Sequence, residues 1–224
     1  MNPSSLGLAA AIAALLPLSA ASAVTVVNGN FEANASAYTV SPGYNSGGPD
    51  INPSTPTGWT SVGGVGINPV SPPGDGAPFN DGANDGAFAF LQGTARIEQA
   101  IAGFIVGGDY ALNIDFNARN CCTPGSLPLA EVYLNDVLLA SSLALFPTPG
   151  GVVPGSLANG GNWWNASIPF TAGAETITLS IRTQSVPAGG DTTLIVDNVS
   201  IVPEPTTFGL LACGLLTALG RRRR

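Results

Sequence analysis

Tyr110-Ala111-Leu112-Asn113-Ile114-Asp115-Phe116-Asn117 alternates apolar and polar residues without a break. In an extended chain successive side chains point to opposite faces, so Tyr110, Leu112, Ile114 and Phe116 line one face and Asn113, Asp115 and Asn117 the other. The stretch is predicted to be a strand with one packed and one solvated face. The same period recurs over residues 95–101, with Ile97, Gln99 and Ile101 on one side, and over 176–182, with Ile177, Leu179 and Ile181 on one side. Residues 129–134 and 137–139, joined by Asn135-Asp136, predict a hairpin, because Asn and Asp tolerate the positive φ of a tight turn. Further strands are expected at 24–27, 58–62, 87–92, 164–170 and 193–201. Between its two ends the chain has no helical period of useful length, and 29 Gly and 19 Pro punctuate it. Nine or ten short strands around one core predict an all-β fold, a two-sheet sandwich of jelly-roll type. Residues 41–57, 63–86 and 146–161 lack alternation and read as long loops, which in compact domains are functional or disordered.

The two ends read differently from this body. Residues 6–18 are an apolar run followed by Ala21-Ser22-Ala23, the small residues a signal peptidase reads, so residues 1–23 are expected to be a signal peptide helix cut before Val24. The n-region departs from the usual pattern, since residues 1–5 carry no Lys or Arg. At the other end Val202-Pro203-Glu204-Pro205 precedes an apolar stretch, 206–220, and then Arg221 to Arg224. Guanidinium groups resist crossing a bilayer that an uncharged segment enters, so this tail halts a chain during export. About 20 residues are needed for a full span, and Gly209, Gly214 and Gly220 weaken the helix, so a transient anchor is expected. The Pro203-Glu204-Pro205 triplet, the apolar helix and the Arg cluster, residues 203–224, resemble the PEP-CTERM sorting tail of Gram-negative bacteria. That resemblance implies an exosortase that removes the tail and delivery to the cell surface or beyond it.

The body, residues 24–202, is long enough for one domain that buries roughly 70% of its unfolded surface. It holds thirteen acidic residues against three basic ones, Arg96, Arg119 and Arg182, a net charge of −10. Nucleic acid is excluded as a partner by that balance, because phosphate backbones are bound through clustered cations. Divalent cations and neutral sugars suit it better, and the arginines are expected to pair with the acidic surface. Cys121 and Cys122 are adjacent, so in an oxidising compartment they either close a vicinal disulfide or stay free. The chain has no histidine, which removes the commonest general base and the usual partner of a nucleophilic Ser or Cys. A non-enzymatic role is expected. A glycosidase working through two carboxylates is the catalytic alternative, although no motif singles out a pair.

Val27-Asn28-Gly29-Asn30-Phe31-Glu32 opens the body, Gly58-Trp59 follows, and Leu194-Ile195-Val196-Asp197-Asn198-Val199-Ser200-Ile201 closes it. With the strands around Gln99 and Tyr110, these segments resemble galactose-binding-like jelly-roll domains, a group that includes carbohydrate-binding modules and the DUF642-type wall proteins. The resemblance implies that the first and last strands are neighbours and that a structural calcium sits where the opening Glu and the closing Asp meet. Carried over, Glu32 and Asp197 would be its carboxylate ligands, with carbonyls near Asn28 and Asn30 completing an oxygen shell of the kind Ca²⁺ prefers. The plainer alternative is that both acids are hydrogen-bonded locally.

For a sugar, the conspicuous group is Asn162-Trp163-Trp164-Asn165. A sugar site generally needs a flat aromatic platform with amides or carboxylates beside it. Ile168 and Phe170 fall at even offsets from Trp164, so Trp164 is assigned to the core and Trp163 to the surface, with Asn162 and Asn165 as its polar neighbours and Tyr44 as a loop platform. Core filling by both tryptophans is the alternative, and Trp59 is expected in the core. The chain thus reads as a surface or extracellular-matrix protein that binds glycan or exopolysaccharide, as in a biofilm. The competing class is a structural matrix protein with a calcium-stabilised fold and no sugar site.

Overall fold

The computed structural model describes residues 24–33, 43–44, 55–68, 86–118, 128–146, 163–184 and 193–204. Residues 22–204 form one compact unit. Nine strands run in the order β1 (Gly43–Tyr44), β2 (Thr60–Asn68), β3 (Phe88–Ala102), β4 (Asp109–Ala118), β5 (Leu129–Leu134), β6 (Val137–Ser141), β7 (Trp164–Thr171), β8 (Thr176–Gln184) and β9 (Thr193–Pro203). One helical turn, α1 (Ser142–Leu145), follows β6. All pairings are antiparallel. The chain is an all-β sandwich of jelly-roll type. The signal-peptide helix, the C-terminal apolar helix and Cys121-Cys122 lie outside the described residues, and among the described residues no helix is long enough to cross a membrane.

In the hydrogen-bonded path β6-β5-β8-β3-β9-β4-β7, β3 links β8 to β9 because it changes partner along its length. From Ala89 to Gln92 it pairs with β9, and from Ala95 to Ala102 with β8, while β2 follows its other edge from Phe88 to Glu98. At the change, the step from Val62 to Gly64 on β2 stands opposite the step from Gln92 to Arg96 on β3. The ladder therefore bends here, and β2 and β3 carry the chain from one sheet into the other. One sheet is β6-β5-β8 with the second half of β3. The other is the first half of β3 with β9, β4 and β7.

The core lies between them, built from the alternation seen in the sequence. Tyr110, Leu112, Ile114 and Phe116 of β4 are buried against Ile97 and Ile101 of β3, Ile177, Leu179 and Ile181 of β8, and Val196, Val199 and Ile201 of β9. Trp59 is buried against Phe31, their ring centroids 5.7 Å apart. The Asn135-Asp136 turn has φ of 49° and 61°, as expected, and Asn135 Oδ1 also accepts from the Thr178 amide of β8.

Four sequence expectations change. Residues 24–27 form no strand, because the backbone of Val27 is taken by a side chain: Gln99 Oε1 accepts from Val27 N at 2.8 Å and Gln99 Nε2 donates to Val27 O at 2.9 Å. Residues 63–68 are not loop but the second half of β2, whose glycines hid the alternation. Residues 87–92 and 95–101 are one strand, continuous through Gly93 at φ 62°. Inside the region read as loop 41–57, Gly43–Tyr44 pairs with β2.

The bend makes a sharp prediction. Gly63 has φ of 84°, and a Cβ there would come within 2.6 Å of Thr94 O and 2.9 Å of Ala95 Cα. Gly93 also has positive φ, but a Cβ there would meet nothing within 4 Å. Chemical denaturation is expected to show Gly63→Ala costing at least about 2 kcal/mol and Gly93→Ala roughly 1 kcal/mol.

Candidate functional site

The outer face of the β3–β9–β4–β7 sheet gathers several of the residues singled out in the sequence. Alternation places Trp164 toward the core, where its ring meets Phe146 edge-on at 5.7 Å, and Trp163 outside it. Trp163 is not a bare surface platform, because it packs against a second cluster of Phe88, Phe90 and Ile195 and meets the Phe88 ring edge-on at 5.8 Å. Its Nε1–H is buried and has no hydrogen-bond partner among the described residues. A buried donor left unpaired is costly, so it is a ready point for an acceptor.

Beside it runs a polar ladder from three strands. Asp115 on β4 pairs in register with Asn165 on β7, and its two carboxylate oxygens accept from Asn165 Nδ2 and, at 2.9 Å, from Asn198 Nδ2. Asn198 reaches Asp115 from a positive φ of 49°, where the ladder between β4 and β9 slips. Asn113 and Asn117 share the outward side of β4. Tyr44 lies on the same sheet, opposite Gly66, which is opposite Phe90. Asn162 lies outside the described residues. Asp115 and Asn198 were not among the expected site residues; the signal was their place on the polar side of β4 and at the Asp-Asn step of β9.

The opening and closing segments are neighbours. The Val199 amide donates to Gly29 O at 2.8 Å, and a Cβ on Gly29 would fall 2.0 Å from Val199 O, so the glycine of the opening motif is required for that approach. Glu32 Oε1 accepts from Ala87 N just before β3, and β3 and β9 pair from Ala89 and Val196, which brings Glu32 and Asp197 to the same end of the sandwich. Both acids have local partners: Asp197, buried, accepts from Asn198 N at 2.7 Å. Asn28 Oδ1 accepts from Ala33 N, Asn28 O from Trp59 Nε1 and Phe31 N, and Asn30 Oδ1 faces Glu32 N at 3.5 Å. No group of three His, Cys, Asp or Glu suited to a metal occurs among the described residues.

The opposite sheet carries the paired arginines. Arg182 Nη2 meets Asp136 at 2.6 Å and Glu98 at 3.5 Å, its Nε donates to Ser180, and its guanidinium lies 4.0 Å from the centroid of the Tyr133 ring. Arg96 and Arg182 thus pair with acids as expected; Arg119 lies outside the described residues. Tyr133 donates its hydroxyl proton to Glu131 at 2.8 Å, and this bond, with burial and the Glu131 charge added, raises its pKa above the usual value near 10 despite Arg182.

No protein-family model matches the chain, and no curated protein matches it. Among solved structures it is similar to a CBM61 module in complex with β-1,4-galactotriose, at 12% identity over 75% of this chain and 98% of that one, with a TM-score of 0.43. The K1 adhesin domain of Lys-gingipain from Porphyromonas gingivalis matches at 14% identity over 67% and 93% of the two chains, with a TM-score of 0.42. A CBM4 structure matches at 17% identity over 55% and 74%, with a TM-score of 0.36.

Glu131→Gln is expected to lower the Tyr133 midpoint, read as the difference in phenolate absorbance between each protein and its Tyr133→Phe version. A raised folded-state pKa means the folded protein holds that proton longer than the unfolded chain does. Its stabilisation is therefore full below about pH 10 and is lost as pH rises further.

Proposed function

We propose that this is an exported, non-catalytic protein that binds extracellular polysaccharide through the outer face of the β3–β9–β4–β7 sheet. The observation that carries this reading is the Trp163 indole, with a free N–H, beside the Asn165–Asp115–Asn198 ladder. An aromatic ring next to fixed amides and a carboxylate suits the two aspects of a sugar, an apolar C–H face and a rim of hydroxyls. By sequence position, Asn162 beside Trp163 and Tyr44 on the strand paired to β2 are proposed as further contacts. The CBM61 module similar to this chain carries β-1,4-galactotriose, which makes galactan a natural first probe.

Export is supported by the chain ends. The apolar run before Ala21-Ser22-Ala23 suits a signal peptidase, and Pro203-Glu204-Pro205 with the apolar segment and Arg221 to Arg224 suits an exosortase acting on a transiently membrane-held intermediate at the surface of a Gram-negative cell. Pro203, the last residue of β9, pairs with Tyr110, and the Glu204 amide donates to Asp109 O at 2.9 Å, so the triplet begins at the end of the last strand. The intact mass of protein released by the producing cell is expected to lack residues 1–23 and the residues after the Pro-Glu-Pro triplet; release at full length would overturn the sorting reading.

Retention on immobilised galactan, xylan and a bacterial exopolysaccharide, with calcium and with chelator, tests the binding. Trp163→Ala is expected to reduce retention about tenfold or more with an unchanged circular dichroism spectrum. A parent protein retained by no polysaccharide overturns the proposal and favours a structural matrix role. Calcium bound through Glu32 and Asp197 is expected to raise the melting temperature, and Glu32→Gln to remove the rise; no shift discards calcium and leaves the glycan reading intact.

A further inference from the structure

The other sheet has a groove of its own. It measures about 280 Å³ and is lined mainly by Val62, Arg96, Glu131, Tyr133, Arg182 and Thr183. The register explains why these residues meet: Val62 pairs with Arg96, Arg96 with Arg182, and Arg182 with Glu131, one row across four strands on the side away from the core. The neighbouring row places Glu98 opposite Ser180 and Ser180 opposite Tyr133. Two of the three basic residues of the body stand side by side here.

The two arginines differ in what they have left to offer. Arg182 is committed to Ser180, Glu98, Asp136 and the Tyr133 ring. Arg96 lies 3.2 Å from Glu98 through Nε, which is buried and not aligned as a hydrogen bond, while its side chain as a whole is 43% exposed. Val62, 51% exposed, adds an apolar wall. A planar fork of donors, a carboxylate acceptor and an apolar wall around a small cleft are the contacts a saccharide ring with adjacent hydroxyls requires. Glu98, Glu131 and Asp136 outnumber Arg96 and Arg182 locally, and the body as a whole carries −10, so a polyanion is repelled.

We infer that this groove is a second saccharide site, taking a neutral sugar unit whose adjacent hydroxyls accept from the Arg96 fork and donate to Glu131, with its C–H face against Val62. The inference rests on the glycan-binding reading but uses a different sheet and different residues.

The test is calorimetric binding of the purified full chain to soluble galactan, xylan and hydroxyethylcellulose, with polygalacturonate as the acidic control. The proteins compared are the parent, Arg96→Ala, Arg96→Lys and Trp163→Ala. The result expected is neutral-glycan binding that Arg96→Ala weakens about tenfold, that Lys does not restore because the fork is lost, and that raised salt leaves largely unchanged. The melting temperatures of the Arg96 variants, expected to match the parent's because the side chain is partly exposed and its ion pair adds little, separate lost contact from lost fold. Binding untouched by the Arg96 changes but lost in Trp163→Ala overturns the groove and leaves the glycan reading standing. Preference for polygalacturonate overturns the neutral assignment, and a parent that binds no glycan overturns both.

Discussion

Two strands that belong to both sheets hold the sandwich together. β3 is bonded to β9 along its first part and to β8 along its second, with β2 beside it across the change, so the corner between the sheets is made of continuous backbone. A bend of this kind is sterically possible only where one strand comes close to another without a side chain between them, and Gly63 supplies that place against Thr94 and Ala95. The consequence reaches both outer faces. The first part of β3 gives Phe88 and Phe90 to the cluster under Trp163, and the second gives Arg96 and Glu98 to the groove on the other side. One strand thus fixes the relative placement of two surfaces that share no side chain.

Gln99 does for the opening segment what a neighbouring strand would otherwise do. Its buried amide accepts from Val27 N and donates to Val27 O and Gly58 O, so three backbone groups are satisfied by one side chain. A buried amide in this role is strongly held, because removing it would leave those groups unpaired in a poorly solvated site. It also sets the geometry downstream. With Val27 fixed, Asn28 and Phe31 adopt positive φ, Gly29 presses on Val199, and Glu32 reaches the Ala87 amide. The short opening motif is thus a folding device whose glycine and acid each answer to a specific contact.

The fold was legible wherever one face of a strand was wet. Residues 110–117 and 176–182 follow period two because their outward side chains are polar, residues 129–139 are marked by the Asn135-Asp136 turn, and the strands form there and over 164–170 with nearly the expected limits. Legibility weakened where both faces are covered or glycine replaces side chains. In Phe88-Ala89-Phe90-Leu91 every residue is buried, so alternation vanishes, and although a strand is expected there its continuity with residues 95–102 is not; in Val62-Gly63-Gly64-Val65-Gly66 there is little to alternate. Residues 24–27 failed for the opposite reason, since the valines have strand propensity but their backbone partner is a side chain 72 residues away. At the site, the opposite facing of Trp163 and Trp164 followed from parity alone. The Asn198–Asp115 bond could not be foreseen, because it depends on a register slip between β4 and β9. Likewise the alignment of Arg96, Arg182 and Glu131 is a property of three strands distant in sequence, and no spacing within any one of them announces it.

The charge pattern argues for how the two faces are used. A chain with −10 over its body spends few cations, and two of its three arginines lie on one sheet face among Glu98, Glu131 and Asp136. Exposed ion pairs add little to stability, about 0–1 kcal/mol each, and the Arg96 Nε contact to Glu98 is not aligned as a hydrogen bond. Stability is therefore a poor reason for placing an arginine there, whereas a rigid fork of donors held beside a carboxylate discriminates among hydroxyl geometries. Under the glycan-binding proposal, the opposite sheet would reach the same end with an indole and amides instead. Because the faces point away from each other, one bound glycan strand does not block the other, and a rigid sandwich with two such faces would join two polysaccharide strands rather than grip one twice, a geometry in which avidity between strands arises without any new contact.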